Sequence, residues 1–343
     1  MNKSVLVVAG GTGGHISPGL GIAAELEKKQ CQVAFLSLEK NRQYPDFANA
    51  DREVHFYSAP KLPSRPWHLF AFLAGLIKSY RLVKRLAKKQ PFDAVVGLGG
   101  YPTFPALLWA RLNKIDYYLC EQNTVHGRIT RLMAKKARKI FLSFPQKSYQ
   151  PNEVVTGNPL RAIFKQSPPP SKGLKNVLMI GGSQGARDLI DLYEVIKDDQ
   201  TFADKKFIIG AGKNQIERAR AMARAQDEIF EFIVDMPAAL TDADLVLSRA
   251  GAGLVFEILW ARRPAVYFPY PHATGNHQRK NADIMVELGL AAVIDLRPFN
   301  ADAAGNELKR IISEQAGKIK ANAFAKLPFA ENAGLAMAEQ IVN

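Results

Sequence analysis

A recurring unit, in which an apolar strand runs into a glycine-rich turn and then into a helix, constrains the fold of this chain most. Its fullest copy spans residues 244–282: the apolar run 245–247 precedes the small-residue turn 248–253, and residues 254–261 have helical spacing. Similar turns stand at residues 10–15, 97–102 and 181–186. The repetition predicts an α/β protein built from open parallel sheets.

Each such turn leaves main-chain N–H groups at the start of a helix, a geometry that binds anions such as phosphate. In the 244–282 unit, Glu257 lies one turn into the helix, where a carboxylate can reach a diol close to a bound phosphate. A single unit is explained equally well by a glycine that only eases packing. The recurrence of the turn favours anion binding.

The overall composition limits the class of protein. With 343 residues, of which 47% are hydrophobic, the chain is long enough for two domains, and its net charge of +14 suits nucleic acid, an anionic membrane or a phosphorylated substrate. Cys31 and Cys120 stand alone in apolar runs, which predicts buried thiols and a reducing compartment. The best apolar run, residues 69–77, falls short of the roughly 18 residues of a spanning helix, and the N-terminus lacks a signal-peptide pattern, so we expect a soluble or peripheral protein.

The first glycine turn presents a candidate catalytic side chain. Its glycines do not form a dinucleotide-binding fingerprint, because Ile16 stands where the third glycine is required. His15 lies at the mouth of the following helix, at the sheet edge where ligands of open α/β proteins collect. An isolated histidine is also commonly an ordinary surface or core residue, so the sequence leaves both interpretations open.

Residues 67–89 have the pattern of a long amphipathic helix. Its apolar stripe consists of Leu69, Phe72, Leu73, Leu76, Tyr80, Val83 and Ala87. Its cationic side carries Lys78, Arg81, Lys84, Arg85, Lys88 and Lys89. One interpretation is a helix that packs its stripe on the sheet and exposes its cations. The other rests on the aromatic start at residues 67–72, because aromatic rings beside a basic face suit the surface of an anionic bilayer.

Polar groups follow another predicted strand. Glu121, Gln122 and Asn123 end the strand 116–120, where they can hydrogen-bond a sugar or, alternatively, cap the next helix. Arg161 stands near the end of the first half of the chain.

A proline-rich segment, residues 167–173, is the clearest linker, and the strand–turn–helix pattern restarts at residue 176. In the third glycine turn, Ser183 carries a hydroxyl where a phosphate oxygen would lie. Two such halves leave a cleft between them. The sequence has no zinc-site spacing, no P-loop motif and no GxSxG motif. Among the site types considered, diphosphate binding by main-chain N–H groups, serine and arginine is the one that the sequence still favours.

Seven motifs stand in order along almost the whole chain: GGTGGHISPGL, GGYPTFPAL, CEQN, GNPLR, GGSQGAR, SRAGAG and HQRKNA. Together they resemble the MurG family of bacterial glycosyltransferases. These enzymes move N-acetylglucosamine from UDP onto undecaprenyl-diphospho-N-acetylmuramoyl-pentapeptide, which converts lipid I to lipid II in peptidoglycan synthesis and so serves cell-wall biogenesis, cell shape and cell division. The resemblance implies an inverting hexosyl transfer that needs no metal and no cofactor.

The resemblance also implies a GT-B fold, in which two Rossmann-like domains enclose a cleft. Residues 1–161 are expected to form an acceptor- and membrane-binding domain, onto which the final helix, about 326–343, packs back. Residues 162–325 are expected to bind the UDP-sugar. The implied partners are UDP-GlcNAc, the lipid-linked muramoyl-pentapeptide and an anionic membrane surface, with no nucleic acid, and the implied location is peripheral, on the cytoplasmic face of the bacterial inner membrane.

The family's site residues carry over where this sequence matches. The acceptor and donor-phosphate side is implied to comprise Thr12, Gly13, Gly14, Asn123, Arg161 and Ser183, with Asn123 on the sugar side. The nucleotide and sugar side is implied to comprise Ile233, Ala252, Gly253, Leu254, Val255, Phe256, Glu257 and Gln278. Within this second set, Ile233 offers its main chain to uracil, Glu257 binds the ribose, and Gln278 holds N-acetylglucosamine hydroxyls.

The sequence departs from the family pattern at three positions. Cys120 stands where the family commonly has histidine, and Leu254 and Phe256 replace small hydroxyl residues of the donor turn. Leu254 and Phe256 cannot supply side-chain hydroxyl contacts at the donor turn, whereas the main-chain contacts there do not depend on the side chains.

The implied mechanism requires a base that removes a proton from the acceptor hydroxyl, and His15 is the candidate because imidazole exchanges protons near neutral pH. Three alternatives stay open at this point: a UDP-GlcNAc 2-epimerase-like enzyme, a related glycosyltransferase with another lipid acceptor, and a nucleic-acid-binding protein that uses the positive charge.

Overall fold

The computed structural model describes residues 3–343 apart from 12, 45–46, 48–51, 60–64, 66–67, 172, 183–184 and 316–326. The chain divides into two compact units: unit 1 comprises Met1–Ala162 and Pro328–Asn343, and unit 2 comprises Ile163–Leu327. Each unit contains one parallel sheet with helical connections, which confirms the predicted α/β class with two Rossmann-like domains.

Unit 1 is built on seven parallel strands in the order β3-β2-β1-β4-β5-β6-β7. They are β1 Ser4–Val8, β2 Gln32–Leu38, β3 Glu53–Tyr57, β4 Ala94–Gly97, β5 Asp116–Glu121, β6 Lys139–Leu142 and β7 Glu153–Val155. Its helices are α1 Gly13–Lys28, α2 His68–Lys89, α3 Phe104–Leu112, α4 Arg128–Met133 and, near the C-terminus of the chain, α11 Ala333–Val342. The central strands are buried on both faces, which is why they appear in the sequence as unbroken apolar runs.

Helices cover both faces of this sheet. Buried side chains of α1 and α11 share one apolar cluster with alternate strand residues, and buried side chains of α2, α3 and α4 share a second cluster with the intervening ones. The final helix begins at Ala333, later than the helical pattern that the sequence showed from about residue 326. Asn332 sets this start, because its side-chain oxygen accepts a hydrogen bond from Leu335 N at 3.0 Å.

Unit 2 is built on six parallel strands in the order β10-β9-β8-β11-β12-β13. They are β8 Asn176–Ile180, β9 Lys206–Gly210, β10 Glu228–Phe230, β11 Leu245–Ser248, β12 Ala265–Tyr267 and β13 Ala291–Val293. Its helices are α5 Arg187–Ile196, α6 Ile216–Met222, α7 Met236–Asp242, α8 Ala252–Ala261, α9 His277–Glu287 and α10 Ala301–Gln315.

The proline-rich segment 167–173 is not a loose linker in its described part, because it is bonded to unit 2. Arg263 donates a hydrogen bond to Pro169 O at 2.6 Å, and Ser171 Oγ bonds the Asp244 carboxylate. Burial alone would raise the pKa of Asp244, yet these bonds, with those from the main-chain N–H groups of Lys175 and Asn176, hold that pKa below its usual value. The proline-rich composition therefore marks an anchored strap.

In each sheet the chain order reverses at one point, between β1 and β4 in unit 1 and between β8 and β11 in unit 2. Open α/β sheets bind ligands at such reversal points, beyond the carboxyl ends of the strands. All four glycine-rich turns found in the sequence follow one of these four strands. The topology therefore gathers them at the two reversal points, one in each unit.

Candidate functional site

The reversal point of unit 1 holds two glycine turns that touch each other. A β-carbon built at Gly10 would lie 2.9 Å from Pro102 Cβ, so only glycine lets the turn after β1 pack on the turn after β4. Gly11, Gly99 and Gly100 have φ angles of +104°, +79° and +74°, a region that favours glycine. Sequence and sterics thus fix both turns at one edge of the sheet.

His15 lies in the first turn of α1, beside both glycine turns. β-carbons built at Gly11, Gly99 and Gly100 would lie 3.7, 3.7 and 3.9 Å from atoms of its ring. The side chain is half-buried, so it is neither a core residue nor a freely exposed one. Its placement at the reversal point is the one that its proposed catalytic role requires.

The polar trio at the end of β5 serves two purposes. Glu121 is buried, and its carboxylate accepts hydrogen bonds from Gly127 N at 2.7 Å, Thr130 Oγ1 at 2.7 Å and Asn123 N at 3.3 Å. Burial raises the pKa of Glu121, against the lowering effect of these bonds. Gln122 is also buried and donates to Cys120 O at 3.1 Å. Glu121 therefore anchors the start of α4, as the capping interpretation held, and Asn123, half-buried, is the member of the trio left at the surface.

Cys31 and Cys120 are buried free thiols, as predicted. Cys120, at the family's histidine position, is 3% exposed and belongs to the core cluster beneath α1. Burial raises the pKa of its thiol, because the apolar surroundings disfavour the thiolate. Its side chain packs and offers no polar group to a substrate.

The remaining predicted residues of unit 1 take different positions. Gly13 and Gly14 form the start of α1, with Gly14 exposed. Arg161 is half-buried and follows Leu160, whose carbonyl oxygen would lie 2.4 Å from a β-carbon at Gly21 of α1. Thr12, like Ser183 of unit 2, lies outside the described residues.

At the reversal point of unit 2, glycines fall into two physical classes. A β-carbon at Gly181 would lie 2.3 Å from Ala186 N, and one at Gly185 would lie 2.1 Å from Ala211 O, so both positions are required for packing. In contrast, β-carbons at Gly182, Gly251 and Gly253 would meet no described atom within 4 Å. Packing within the described protein therefore does not account for glycine at these three positions, although at Gly182 the φ angle of +84° does.

Helix α8 starts in the open region that Gly251 and Gly253 border. Its first turn, Ala252–Leu254, presents main-chain N–H groups that no residue of the same helix can accept from. Ala252, Val255 and Phe256 are buried, whereas Leu254 and Glu257 are half-buried. Because Phe256 is buried, its replacement of a hydroxyl residue affects packing, whereas the main-chain N–H groups of the first turn of α8 do not depend on it.

Two further predicted residues lie elsewhere in unit 2. Ile233 is 8% exposed and packs near Gly210, so its side chain is turned inward. Ile233 lies beyond β10, which ends at Phe230. Gln278 lies in the first turn of α9 and accepts a hydrogen bond from Tyr270 N at 2.9 Å.

Sequence reasoning missed two buried polar residues beside the turn that follows β11. Arg249, directly after β11, is buried and bonds Asp188 of α5. Asn281 of α9 is fully buried and donates to Ala250 O at 3.0 Å. A charged residue directly after an apolar strand was the available signal for Arg249, whereas the partners of both residues are distant in sequence.

Helix α2 carries an exposed face that changes character along its length. Its first half exposes Leu69, Phe70, Leu73 and Ile77 by 46%, 80%, 44% and 51%. Its second half exposes Lys78, Arg81, Lys84, Arg85, Lys88 and Lys89. The interpretation in which the whole stripe packs on the sheet does not hold at the exposed Leu69 and Leu73, because the described α2 residues in or against the core cluster lie at or beyond Tyr80.

None of the described helices combines the length and the apolarity needed to cross a membrane. Within the described residues, no three histidine, cysteine, aspartate or glutamate side chains are grouped as metal ligands.

The chain is similar to known proteins over nearly its whole length. Residues 5–142 match the glycosyltransferase family 28 N-terminal domain, and residues 176–333 match the C-terminal domain of that family. The UDP-N-acetylglucosamine--N-acetylmuramyl-(pentapeptide) pyrophosphoryl-undecaprenol N-acetylglucosamine transferase of Leptospira interrogans is 30% identical over 340 residues, which cover 92% of this chain and 91% of that protein.

Solved structures agree with this relationship. The crystal structure of Acinetobacter baumannii MurG superposes with a TM-score of 0.78 at 27% identity and covers 99% of both chains. The UDP-GlcNAc 2-epimerase of Neisseria meningitidis superposes with a TM-score of 0.64 at 14% identity and covers 99% of both chains, a likeness of fold alone.

Proposed function

The chain belongs to the MurG group of glycosyltransferase family 28, and on that premise we propose that it transfers N-acetylglucosamine from UDP-GlcNAc to undecaprenyl-diphospho-N-acetylmuramoyl-pentapeptide. The enzyme is a hexosyltransferase of peptidoglycan synthesis. The observation that carries the proposal is the start of α8, where N–H groups lie beside Gly251 and Gly253 at a sheet reversal point.

We infer that this turn binds the donor. Main-chain N–H groups of Ala252 to Leu254, at the positive end of the α8 dipole, suit the UDP pyrophosphate. Glu257, one turn further, is half-buried and is proposed to bond the ribose diol. Ile233, whose side chain is turned inward, is proposed to offer its main chain to uracil.

Gln278 is proposed to hold the N-acetylglucosamine hydroxyls. Because its side-chain oxygen already accepts from Tyr270 N, its NH₂ group is the part that can donate to a sugar. Asn123, half-buried on the loop that Glu121 anchors, is proposed to act on the sugar side.

The chemical step proposed here is a single displacement. The acceptor hydroxyl oxygen bonds to the anomeric carbon from the face opposite UDP, the bond from that carbon to the UDP oxygen breaks, and the configuration inverts. The hydroxyl proton passes to His15, which the two glycine turns of unit 1 hold at the ligand edge. Thr12, Gly13 and Gly14 are assigned to the diphosphates by family resemblance alone.

Negative charge grows on UDP as it leaves. The N–H groups at the start of α8 would stabilise it, and Arg161 and Ser183 are proposed to add a cation and a hydroxyl. Fixed dipoles of this kind stabilise a developing anion without reorganising during the reaction.

The face of α2 supports a location at a membrane. Its apolar half can enter the headgroup region of a bilayer, while its cationic half contacts anionic lipid, with each nearby cation worth about 1 kcal/mol. We propose that unit 1 docks by this face on the cytoplasmic surface of the inner membrane, where a polyprenyl-linked acceptor is anchored.

The test of the function is UDP release from several UDP-sugars, with and without a polyprenyl-diphospho-muramoyl acceptor. We expect release from UDP-GlcNAc only when the acceptor is present. UDP release with conversion to the 2-epimer in the absence of acceptor would instead identify an epimerase. Release with a different lipid acceptor alone would move the chain to a related transferase, and salt-sensitive DNA or RNA binding without UDP release would overturn the proposal.

A further inference from the structure

We propose that Arg249, held by Asp188, is a positioning residue for the donor sugar, an inference that rests on the proposed function. The Arg249 side chain is 10% exposed. Its guanidinium donates to Phe268 O at 2.9 Å and to Pro269 O at 3.3 Å, and it donates to Asp188 Oδ2 at 2.8 Å. One side chain therefore bonds two separate segments of the donor half.

These contacts join structures that converge on the same sheet edge. Asp188 lies in the first turn of α5, directly after the glycine turn 181–186. Phe268 and Pro269 follow the end of β12, and Arg249 itself follows β11. The planar guanidinium presents its N–H groups in fixed directions, so it can hold all three elements in one arrangement.

The loop that Arg249 holds leads to the sugar-binding candidate. The Arg249 guanidinium carbon lies 5.6 Å from the ring centre of Tyr270, and Tyr270 N donates to Gln278 Oε1. At the other end of the loop, Arg297 donates to Asn276 Oδ1 at 2.9 Å, just before α9 begins. The loop between β12 and α9 is thus bonded at both ends, and the orientation of Gln278 depends on the end that Arg249 fixes.

The Arg249–Asp188 pair requires both a positive charge and the geometry of a guanidinium. A buried guanidinium is tolerated when it is paired and hydrogen-bonded, and Asp188 supplies the pairing carboxylate. A lysine at this position keeps the charge but cannot reproduce the fork that reaches two carbonyl oxygens and a carboxylate together. Loss of these guanidinium hydrogen bonds should make the loop between β12 and α9, and hence Gln278, less ordered. The main-chain N–H groups at the start of α8 should stay in place.

The test compares binding of UDP-GlcNAc and of UDP to the full chain by calorimetry. We expect Arg249→Lys to weaken UDP-GlcNAc binding by about tenfold or more, since it loses charged hydrogen bonds, and to change UDP binding by less than about twofold. Asp188→Asn should weaken UDP-GlcNAc binding by about three- to fivefold, also with little effect on UDP. The double variant should resemble Arg249→Lys alone, because the two side chains act as one unit.

A matched control is Arg263→Lys. Arg263 is buried in the same unit and donates to the carbonyls of Leu240, Thr241 and Pro169. None of these described partners lies in the loop between β12 and α9. This variant should lower thermal stability and leave the ratio of UDP-GlcNAc affinity to UDP affinity unchanged. If Arg249 were only a structural residue, Arg249→Lys would likewise leave that ratio unchanged.

Equal weakening of UDP and UDP-GlcNAc by Arg249→Lys, or no weakening of either, would overturn the positioning role. If that variant does not fold, Asp188→Asn decides the matter by the same ratio. A wild-type chain that binds neither ligand would instead count against the proposed function, so the two failures are distinguishable.

Discussion

Replacing Phe70, Leu73 and Ile77 of α2 together by serine should abolish most of the binding of this protein to anionic vesicles. The three side chains follow helical spacing on one face and are 80%, 44% and 51% exposed. Because none of the three belongs to the core clusters of unit 1, their replacement should leave the protein folded and remove the apolar part of the membrane contact.

The size of the effect follows from these exposures. Full transfer of such a side chain out of water is worth about 1.5–3 kcal/mol. Scaled by the exposed fractions, Phe70 contributes about 2 kcal/mol, and Leu73 and Ile77 contribute about 1 kcal/mol each. The sum of about 4 kcal/mol corresponds to roughly 10³-fold in partitioning, and incomplete burial in the headgroup region lowers the expectation to about a hundredfold or more.

Co-sedimentation with vesicles of anionic and of zwitterionic lipid measures this directly. The wild-type chain should bind the anionic vesicles, with weaker binding as salt screens the cations of the second half of α2. Val195→Ser with Val286→Ser is a matched control, because both valines are 40% exposed but lie in unit 2. Equal binding of the triple variant and the wild type would refute the docking face, as would wild-type binding that ignores lipid charge.

Other predictions concern catalysis and stability. His15→Ala should lower turnover by about 10²–10⁴-fold and leave donor affinity within about twofold, and unchanged turnover in a UDP-release assay would exclude it as the base. Chelation of divalent ions should leave turnover unchanged. Loss of activity that one metal restores would contradict the proposal that the N–H groups at the start of α8 are the main stabilisers of the leaving UDP. Gly185→Ala should destabilise the fold by about 2–4 kcal/mol in urea unfolding, because its β-carbon would lie 2.1 Å from Ala211 O at a φ of +72°, while Gly173→Ala, with nothing described within 4 Å, should be nearly neutral. The pKa of Asp244 is lowered in the folded state, so the stability that it contributes is present above its unfolded pKa of about 4 and is lost as the pH falls through the folded pKa. Asp244→Asn should therefore make the free energy of unfolding less dependent on pH in the acid range. An unchanged dependence would contradict the role of its hydrogen bonds.

The sequence predicted the architecture because its determinants are local. Apolar runs such as residues 5–8 and the glycine turns that follow them report burial and backbone conformation at short range. The sequence alone did not show which glycines are required for packing. Gly185 is needed for close packing against Ala211, whereas a β-carbon at Gly253 would meet no described atom within 4 Å. That difference depends on what lies opposite each glycine, which is determined by distant parts of the chain.

Long-range partners explain the other differences. The stripe of α2 was correct where Val83 packs into the core and wrong at Leu73, because amphipathic spacing does not tell how far along a helix the core extends. Arg249 was not predicted as a bracing residue, since its partner Asp188 lies 61 positions away.

The way α11 returns to unit 1 has a consequence for biosynthesis. Unit 2 is one continuous segment, whereas unit 1 needs segments from before and after it, and Met337, Ala338 and Ile341 complete the cluster beneath α1. A chain leaving the ribosome N-terminus first can therefore finish unit 2 while the α1 side of unit 1 is still uncovered. Removal of residues 332–343 should therefore yield a product in which unit 2 is folded, whereas unit 1 exposes the apolar surface beneath α11 and is sensitive to proteases.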